Sequence, residues 1–313
     1  MPSPFDRWPG EDVKLPGDRV LHVRHAEPLT PGLPPAVLVH GLGGSATNWT
    51  SLMAELRGTL DQWAPDLPGF GESPPLEGSH TVTAHAVAVA AYLRSFDRPV
   101  HLVGNSMGGL ACVLVASRLP RLVRSLTLVS PAMPHIVVPV AARWLTLLAL
   151  PRLGERLLAT GNAAPVERQV RRSVEAIYGD PDALTDEQLE LAATERRRRL
   201  EQPHADAVFL QSLRSMVAHF TPLPRRSAWL EARHLEVPTL VLVGGRDKLV
   251  AHRTAAGWRR RVPSARVVTL PTTGHVAMME RPALVAGMVA EHVEATEAAA
   301  HRVVEPHRGG VRE

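Results

Sequence analysis

The sequence predicts an α/β protein built on a doubly wound, mostly parallel sheet, with a helical lid inserted into it. Short apolar runs alternate with longer helical patterns along the chain. The short runs are continuously apolar rather than alternating, as strands covered on both faces require. The alternation then stops for roughly a hundred residues in which only helical patterns occur, which indicates an insertion between two core strands.

Seven segments have strand character, and most of them end in glycine, proline or polar loop residues. These predicted strands cover residues 19–25, 36–39, 61–64, 100–103, 126–129, 239–243 and 267–270. Helical patterns at 82–96 and 107–119 separate some of them, and Pro120 stops the second helix. Because strands and helices alternate in this way, the strands are expected to lie parallel in one sheet.

The insertion divides the predicted core into two parts. We expect core residues at 1–133 and 234–296, the helical lid at 134–233 and a disordered tail at 297–313. Helical patterns in the lid cover 139–150, 165–178, 185–200 and 204–219, and the third begins with a Thr185–Gln188 capping box. A lid at this point covers the carboxyl ends of the strands, where open α/β sheets place their sites.

The composition is that of an ordinary globular protein. Hydrophobic residues make up 45% of the 313 residues, and charged residues make up 21%. A net charge of +4 is small for this length, and the arginine run 196–199 lies in a helix that also carries glutamates. Since no aromatic or glycine pattern accompanies these arginines, no nucleic-acid partner is expected. The single cysteine, Cys112, lies in an apolar stretch, which excludes an intramolecular disulfide and indicates a packing role.

Targeting and membrane signals are weak in this sequence. Residues 1–14 mix proline with charged residues and contain no apolar core, so no signal peptide is expected. The longest apolar stretch, 136–150, is interrupted by Pro139 and Arg143 and is too short to span a bilayer. We therefore expect a cytoplasmic protein without stable membrane insertion.

The chemically most informative motif is Gly104-Asn105-Ser106-Met107-Gly108. The pentapeptide alone is a weak signal, but here it lies between a predicted strand and a predicted helix. A sharp strand-to-helix turn holds a serine hydroxyl above the sheet edge, and glycines on either side avoid collisions with neighbouring backbone. The N-terminus of the following helix favours negative charge beside the hydroxyl. These features predict Ser106 as a nucleophile.

A serine nucleophile needs a base, and the base needs a partner that fixes its tautomer. Among the 15 histidines, His275 follows the last predicted strand directly, at the sheet edge where Ser106 is expected. Asp247 follows the preceding core strand at the same edge. A rival position for the acid, after the strand 126–129, has no carboxylate. We therefore predict His275 as the base and Asp247 as its orienting acid.

The oxyanion of a tetrahedral intermediate needs preorganised N–H donors. One is expected from the backbone of Met107, directly after the nucleophile. The other is expected from the backbone of Leu42, in the glycine-rich loop that follows the strand 36–39. We expect His40, at the start of this loop, to tie the loop to its neighbours without transferring protons.

Together these motifs resemble the α/β-hydrolase superfamily, specifically its lidded branch of serine esterases and lipase-like enzymes. The matching pieces extend over about residues 19–295 outside the lid, and they occur in the order that this family uses, with serine first, then aspartate, then histidine. They are His40-Gly41-Leu42-Gly43-Gly44, Asp66-Leu67-Pro68-Gly69-Phe70-Gly71-Glu72-Ser73, Gly104-Asn105-Ser106-Met107-Gly108-Gly109, Gly245-Arg246-Asp247 and Gly274-His275.

The resemblance implies a serine hydrolase, and the related branches can be weighed. Haloalkane dehalogenases and epoxide hydrolases of this fold have an aspartate nucleophile, which Ser106 disfavours. Haloperoxidase-like members share the serine triad and stay possible. The C–C bond hydrolases of aromatic degradation share it too, but their oxyanion loop is usually richer in serine and proline than residues 40–44. A non-catalytic ligand-binding relative is the remaining alternative.

The predicted function is hydrolysis of the carboxylic ester of a lipophilic small molecule through an acyl-enzyme. No phosphate-binding loop or metal-ligand cluster occurs, so neither a cofactor nor a metal is expected. Residues expected to bind substrate are Trp49, Met133, Trp144 and Val276, with Leu147, Leu148, Leu157, Phe209 and Leu213 as further lid residues that could contact it.

Overall fold

The computed structural model describes residues 8–134, 139, 142–220 and 227–304. Eight strands in these residues form one sheet in the order β1-β2-β4-β3-β5-β6-β7-β8. The six neighbouring strands β4, β3, β5, β6, β7 and β8 run parallel, whereas β2 is antiparallel to both β1 and β4. The strands are β1 (Gly10–Leu15), β2 (Arg19–Ala26), β3 (Pro35–Val39), β4 (Asp61–Pro65), β5 (Val100–Asn105), β6 (Val123–Val129), β7 (Thr239–Gly244) and β8 (Arg266–Leu270). The predicted mostly parallel α/β sheet is confirmed.

The sequence analysis did not predict β1. This edge strand pairs with β2 through a tight turn in which Gly17 and Asp18 both have positive φ, as hairpin turns favour. Only Leu15 in the strand is buried, so its sequence lacks the apolar run by which the other strands were found. Pairing with a neighbour, rather than burial, therefore defines this strand.

Helices cover both faces of the sheet. Alternate residues of β3 show this directly, because Val37 and Val39 belong to one buried apolar cluster and Ala36 and Leu38 to a second. The first cluster includes residues of α2 (Val82–Leu93), α3 (Ser106–Arg118) and α10 (Thr254–Arg261). The second includes residues of α1 (Thr50–Leu56), α11 (Ala277–Glu280) and α12 (Pro282–Val304).

The chain between β6 and β7 is helical in its described part. The structure shows α4 (Arg143–Leu148), α5 (Leu153–Asn162), α6 (Val166–Ile177), α7 (Asp186–Glu201), α8 (Ala205–Ala218) and α9 (Ala228–Ala232). The capping box forms at α7, where the Thr185 hydroxyl accepts from the Gln188 N–H (3.2 Å) and the Gln188 amide oxygen accepts from the Thr185 N–H (2.8 Å). The sequence did not predict α5, whose two glycines lower its helix propensity. Residues 140 and 141, near the expected start of the first lid helix, lie outside the described residues.

The prediction of a disordered tail from residue 297 is wrong for residues 297–304, because α12 continues through them to Val304. Two features hold this part of the helix. The Glu297 carboxylate accepts a hydrogen bond from the Arg124 guanidinium of β6 (2.6 Å). Three successive alanines at 298–300 also have the highest helix propensity. Residues 305–313 lie outside the described part of the chain. Within the described part, no helix is long and apolar enough to cross a bilayer.

Candidate active site

Ser106 lies at the sharp turn between β5 and α3. Its φ is +52°, a left-handed conformation that is strained for a residue with a side chain. The neighbouring glycines are required by close packing, since a Cβ on Gly108 would collide with the carbonyl oxygens of His40 and Val39. A Cβ on Gly104 would lie 2.7 Å from the Cys112 sulfur. The turn thus holds a partly exposed serine above the carboxyl edge of the sheet, as the motif predicted.

Asn105 connects this turn to the loop that carries His275. Its side-chain amide donates one hydrogen bond to the carbonyl of Val129 at the end of β6 (3.0 Å) and another to the carbonyl of His275 (3.1 Å). The residue before the serine is therefore in direct contact with the predicted base residue, although 170 positions separate them in the sequence. Ser106 and His275 lie at the same edge of the sheet.

His275 and Asp247 form a buried hydrogen-bonded pair. The Nδ1–H of His275 donates to the Asp247 Oδ2 atom at 2.8 Å, and the backbone N–H groups of Leu249 and Val250 both donate to Oδ1, each at 2.8 Å. Burial alone would raise the pKa of Asp247, but the attraction of His275 and these hydrogen bonds outweigh burial and lower the pKa. The carboxylate is thus held ionised in a fixed orientation, with its Oδ2 directed at the imidazole.

The loop with residues 40–44 packs against the serine turn. A Cβ added to Gly41 would lie 3.1 Å from the Ser106 Cβ, which shows how close the two backbones are. Leu42 follows directly, and Met107 occupies the first turn of α3, where backbone N–H groups have no acceptor within the helix. The backbone segments of Leu42 and Met107, which are predicted to supply the oxyanion donors, therefore lie on either side of the serine. Asp66 supports this loop, because its Oδ1 accepts from the N–H of Ala46 at 2.6 Å.

His40 is a structural residue of this loop. Its Nδ1–H donates to the Gly41 carbonyl (2.8 Å), and its Nε2 accepts from the Leu67 N–H (2.9 Å). Burial lowers the pKa of His40, and both ring nitrogens are used as a neutral imidazole would use them. This arrangement agrees with the expectation that His40 ties the loop to its neighbours.

The four residues expected to bind substrate differ in their placement. The side chain of Trp49 has no exposed surface and packs in the second core cluster beside α1. Trp144 is 47% exposed on α4 and belongs to neither core cluster. Met133 is almost completely buried near the serine turn, where the N–H of Ala132 donates to the Ser106 carbonyl. Val276 directly follows His275 and is 6% exposed. Substrate contact stays a prediction for all four residues.

A cavity of about 210 Å³ lies between the loop of residues 40–44 and the lid. Val174, Ile177 and Leu184 line it from the lid together with the charged Glu195, Arg196 and Arg198, and Met279 faces it from the core. Ser106 and His275 are not among its lining residues. Arg199 also lines it and donates from Nη1 to the carbonyl of Gly43 at 2.7 Å. Burial, together with repulsion from Arg196, lowers the pKa of Arg199 to about 10. In the described ranges, no set of three His, Cys, Asp or Glu side chains is arranged to hold a metal.

Sequence analysis missed Glu280, which joins the His275 loop to the lid. One carboxylate oxygen accepts from the N–H of Gly274 (2.8 Å), and the other accepts from the N–H of Gly179 in the lid (2.9 Å). The N–H of His275 also donates to the lid carbonyl of Ile177 at 2.7 Å. The signal available in the sequence was a single acidic residue after the apolar run 276–279. Glu280 is therefore a positioning residue for the loop that carries His275.

We expect Glu280→Gln to lower kcat by about tenfold while changing KM little, because a misplaced imidazole impairs proton transfer more than binding. The amide nitrogen of glutamine would face one of the two N–H groups, and the loss of that hydrogen bond destabilises the fold by about 1–3 kcal/mol. Steady-state kinetics with a chromogenic ester and thermal unfolding measure both effects. Glu236→Gln, at an exposed position, is the matched control. An unchanged kcat in a variant with reduced stability would show that Glu280 is only structural.

The fold and this arrangement define an α/β-hydrolase, and comparison with known proteins agrees. Residues 36–288 match the model of the alpha/beta hydrolase family. The chain belongs to this family. The match includes most of both core parts and the whole lid, so it covers all of the site residues described above.

Several characterised proteins are similar to this chain. It is 28% identical to Lipase 1 of Psychrobacter immobilis over 250 residues, which cover 79% of this chain and 72% of the lipase. It is also 28% identical over 266 residues to the pimeloyl-[acyl-carrier protein] methyl ester esterase of Neisseria meningitidis, with 82% and 92% covered. The solved structure of 2-hydroxy-6-oxo-6-phenylhexa-2,4-dienoate hydrolase from Rhodococcus sp. strain RHA1 shares the fold, with a TM-score of 0.72, 22% identity and coverage of 91% and 100%. The two sequence relatives support hydrolase activity.

Proposed function

We propose that this protein hydrolyses carboxylic esters of lipophilic small molecules through an acyl-enzyme on Ser106. The observation that supports this most is the buried pair of His275 and Asp247, at 2.8 Å, on the sheet edge that also carries the strained serine. A buried histidine whose Nδ1–H is fixed on a carboxylate has its Nε2 free to accept a proton. Two relatives named as a lipase and a methyl ester esterase support ester hydrolysis as the reaction.

In the acylation step, the Ser106 Oγ attacks the ester carbonyl while its proton moves to Nε2 of His275. The carbonyl π-electrons move to the oxygen, where the N–H groups of Met107 and Leu42 stabilise the negative charge. The tetrahedral intermediate then collapses and the C–O bond to the alcohol breaks. His275 gives its proton to the departing alkoxide, and the acyl group stays on Ser106 as an ester.

Deacylation repeats these steps with water as the nucleophile. His275 takes one proton from the water as its oxygen attacks the acyl carbonyl, and the same N–H groups stabilise the second oxyanion. Collapse breaks the bond to Ser106, which recovers its proton from His275, and the acid leaves. Asp247 stabilises the imidazolium in both halves of the reaction without taking the proton itself.

The cavity beside the oxyanion loop supports a lipophilic substrate. The side chains that reach it from α6 are uncharged and mostly aliphatic, and Met279 supplies a flexible apolar wall on the core side, whereas α7 contributes Leu191 and Ala192 beside four charged residues. Met133 and Val276, next to the serine and the histidine, are proposed to contact the acyl group. No cofactor takes part in the proposed reaction.

We expect p-nitrophenyl butyrate and octanoate to be hydrolysed faster than the palmitate ester, because a cavity of about 210 Å³ is small for a long chain. A panel of these esters, measured as kcat/KM at equal detergent concentration, tests the expectation. A fluorophosphonate probe should label the protein in the same samples. No turnover of any ester together with no labelling would contradict the proposal and favour a ligand-binding relative without catalysis.

A second candidate is the hydrolysis of a C–C bond in a diketone product of ring cleavage. The Arg199 guanidinium favours it, because this cation lines the cavity beside the oxyanion loop and its described contact there is a carbonyl oxygen rather than a carboxylate. A substrate with its own carboxylate would suit such a position. Turnover of a vinylogous diketone acid, with no turnover of the ester panel, would support this candidate over the esterase.

A further inference from the structure

Half of the large exposed apolar side chains in the described residues lie in one short part of the lid. Five of ten such side chains occur within residues 144–157, on α4, on α5 and in the turn between them. We call these five residues the apolar lid patch. They are Trp144 (47% exposed), Leu147 (49%), Leu150 (50%), Leu153 (39%) and Leu157 (42%).

The patch lies on the outer side of two helices that pack on the rest of the lid. The helices α4 and α5 contact each other, and both contact α8. Leu148 and Gly154, on the opposite sides of these helices, are buried. The exposed residues follow helical spacing, since Leu153 and Leu157 are four positions apart and therefore neighbours on one helix face. The exposed apolar area is thus concentrated on one side of this helix pair.

The same part of the chain carries the protein's excess positive charge. Residues 143–172 contain six arginines and two glutamates, an excess of +4, and the whole chain has a net charge of +4. The remainder of the chain is therefore electrically balanced. All six arginines are exposed, and they are Arg143, Arg152, Arg156, Arg168, Arg171 and Arg172. The two glutamates form ion pairs with arginines outside this segment, Glu155 with Arg214 and Glu167 with Arg197.

We propose that the apolar lid patch docks on the surface of an anionic lipid bilayer. Leucine and tryptophan side chains enter the boundary between headgroups and acyl chains, and neighbouring arginines bind lipid phosphates. A second copy of this chain is a poor match for the patch, because two such arginine clusters would repel each other. The packing of the core does not require these residues to be apolar, because none of them belongs to either core cluster.

The proposal is independent of the proposed esterase activity. Docking uses α4, α5 and the start of α6, whereas the chemistry uses Ser106, His275 and Asp247. The full-length Ser106→Ala protein should therefore bind vesicles as the wild type does. Conversely, turnover of a soluble ester should not depend on whether the patch binds lipid. Failure of one idea can thus be distinguished from failure of the other.

Vesicle co-sedimentation with the full-length protein tests the proposal. We expect binding to vesicles of phosphatidylcholine mixed with phosphatidylglycerol, and at least about tenfold weaker binding to phosphatidylcholine alone. High salt should weaken binding to the mixed vesicles, because it screens the arginines. Equal binding to both vesicle types, or no binding to either, would overturn the proposal.

Paired variants show whether the patch itself is responsible. Leu150→Gln with Leu153→Gln should lower vesicle affinity by about tenfold or more, because apolar area that would be buried in the bilayer is lost. Arg156→Glu with Arg171→Glu should have a comparable effect through charge. The matched controls are Leu29→Gln with Leu284→Gln, and Arg121→Glu with Arg253→Glu, all at exposed positions outside the patch.

The variants also separate lipid from other occupants of the patch. Soluble ester turnover and the melting temperature should stay at wild-type values in all four double variants. If the patch variants and the controls bind vesicles alike, the patch is not the docking surface. If the wild type does not bind vesicles but forms a dimer that Leu150→Gln with Leu153→Gln dissociates, the surface is a contact between copies and the lipid proposal is wrong.

Discussion

Replacing Ser106 with alanine should lower kcat by about 10⁶ and abolish labelling by a fluorophosphonate probe. The variant lacks the only atom that can form the acyl-enzyme, whereas the oxyanion donors and the His275–Asp247 pair stay in place. The residual rate should therefore approach the small acceleration that binding and oxyanion stabilisation provide without a nucleophile. Stopped assays with a chromogenic ester over long times measure this residual rate.

The control for this variant is Ser264→Ala, an exposed serine that is far from the turn in sequence. It should keep wild-type turnover and labelling. Glycine at 106 offers a second test, because glycine adopts positive φ without steric cost. Ser106→Gly should be inactive yet at least as stable as Ser106→Ala. A Ser106→Ala protein that is folded and retains most of the wild-type kcat would contradict the assignment of the nucleophile.

Replacing Asp247 with asparagine should lower kcat by about 10⁴ with little change in the fold. Two N–H groups donate to Oδ1, so the amide oxygen of asparagine has to occupy that position. Its NH₂ group then faces His275, and Nδ1 of the imidazole must accept rather than donate. The proton moves to Nε2, the nitrogen that should receive the serine proton, and the base is blocked.

The pH dependence of Asp247→Asn provides a specific check. Attraction to His275 and the hydrogen bonds keep the pKa of Asp247 below its ordinary value despite burial, so the wild-type carboxylate stays charged across the working range. In the variant this charge is absent, and activity should recover partly at high pH, where hydroxide can replace the lost base. Asp182→Asn, at an exposed position, is the control. Wild-type kcat in Asp247→Asn at neutral pH would assign the acid to another residue.

The sequence was sufficient to predict the motifs around Ser106, Asp247 and His275, because each follows a strand with a clear apolar pattern. Contacts made by backbone groups were not predictable in this way. Glu280 holds N–H groups from two distant segments, and a local pattern contains no information on which segments meet. The burial of Trp49 in the core was not predictable for a related reason, since nearness to the oxyanion loop in sequence does not determine which side of the loop a side chain faces.

Helix ends were predicted well where capping chemistry is local, as at Thr185 in the lid. They were predicted poorly where distant contacts determine the position of the helix end. In α12, the ion pair between Arg124 and Glu297 lies at the expected end, and the helix continues beyond it. The edge strand β1 escaped prediction because it is defined by hydrogen bonds to β2 and has mostly exposed side chains.

The contact between the lid and the His275 loop restricts how this enzyme can admit a substrate. Gly179 and Gly274 pack backbone against backbone so closely that a Cβ on either would collide with the other segment, and the Ile177 carbonyl accepts from the His275 N–H at 2.7 Å. The middle of the insertion is therefore fixed against the loop that carries His275. A substrate entrance should open elsewhere in the insertion, so that the loop carrying His275 need not move.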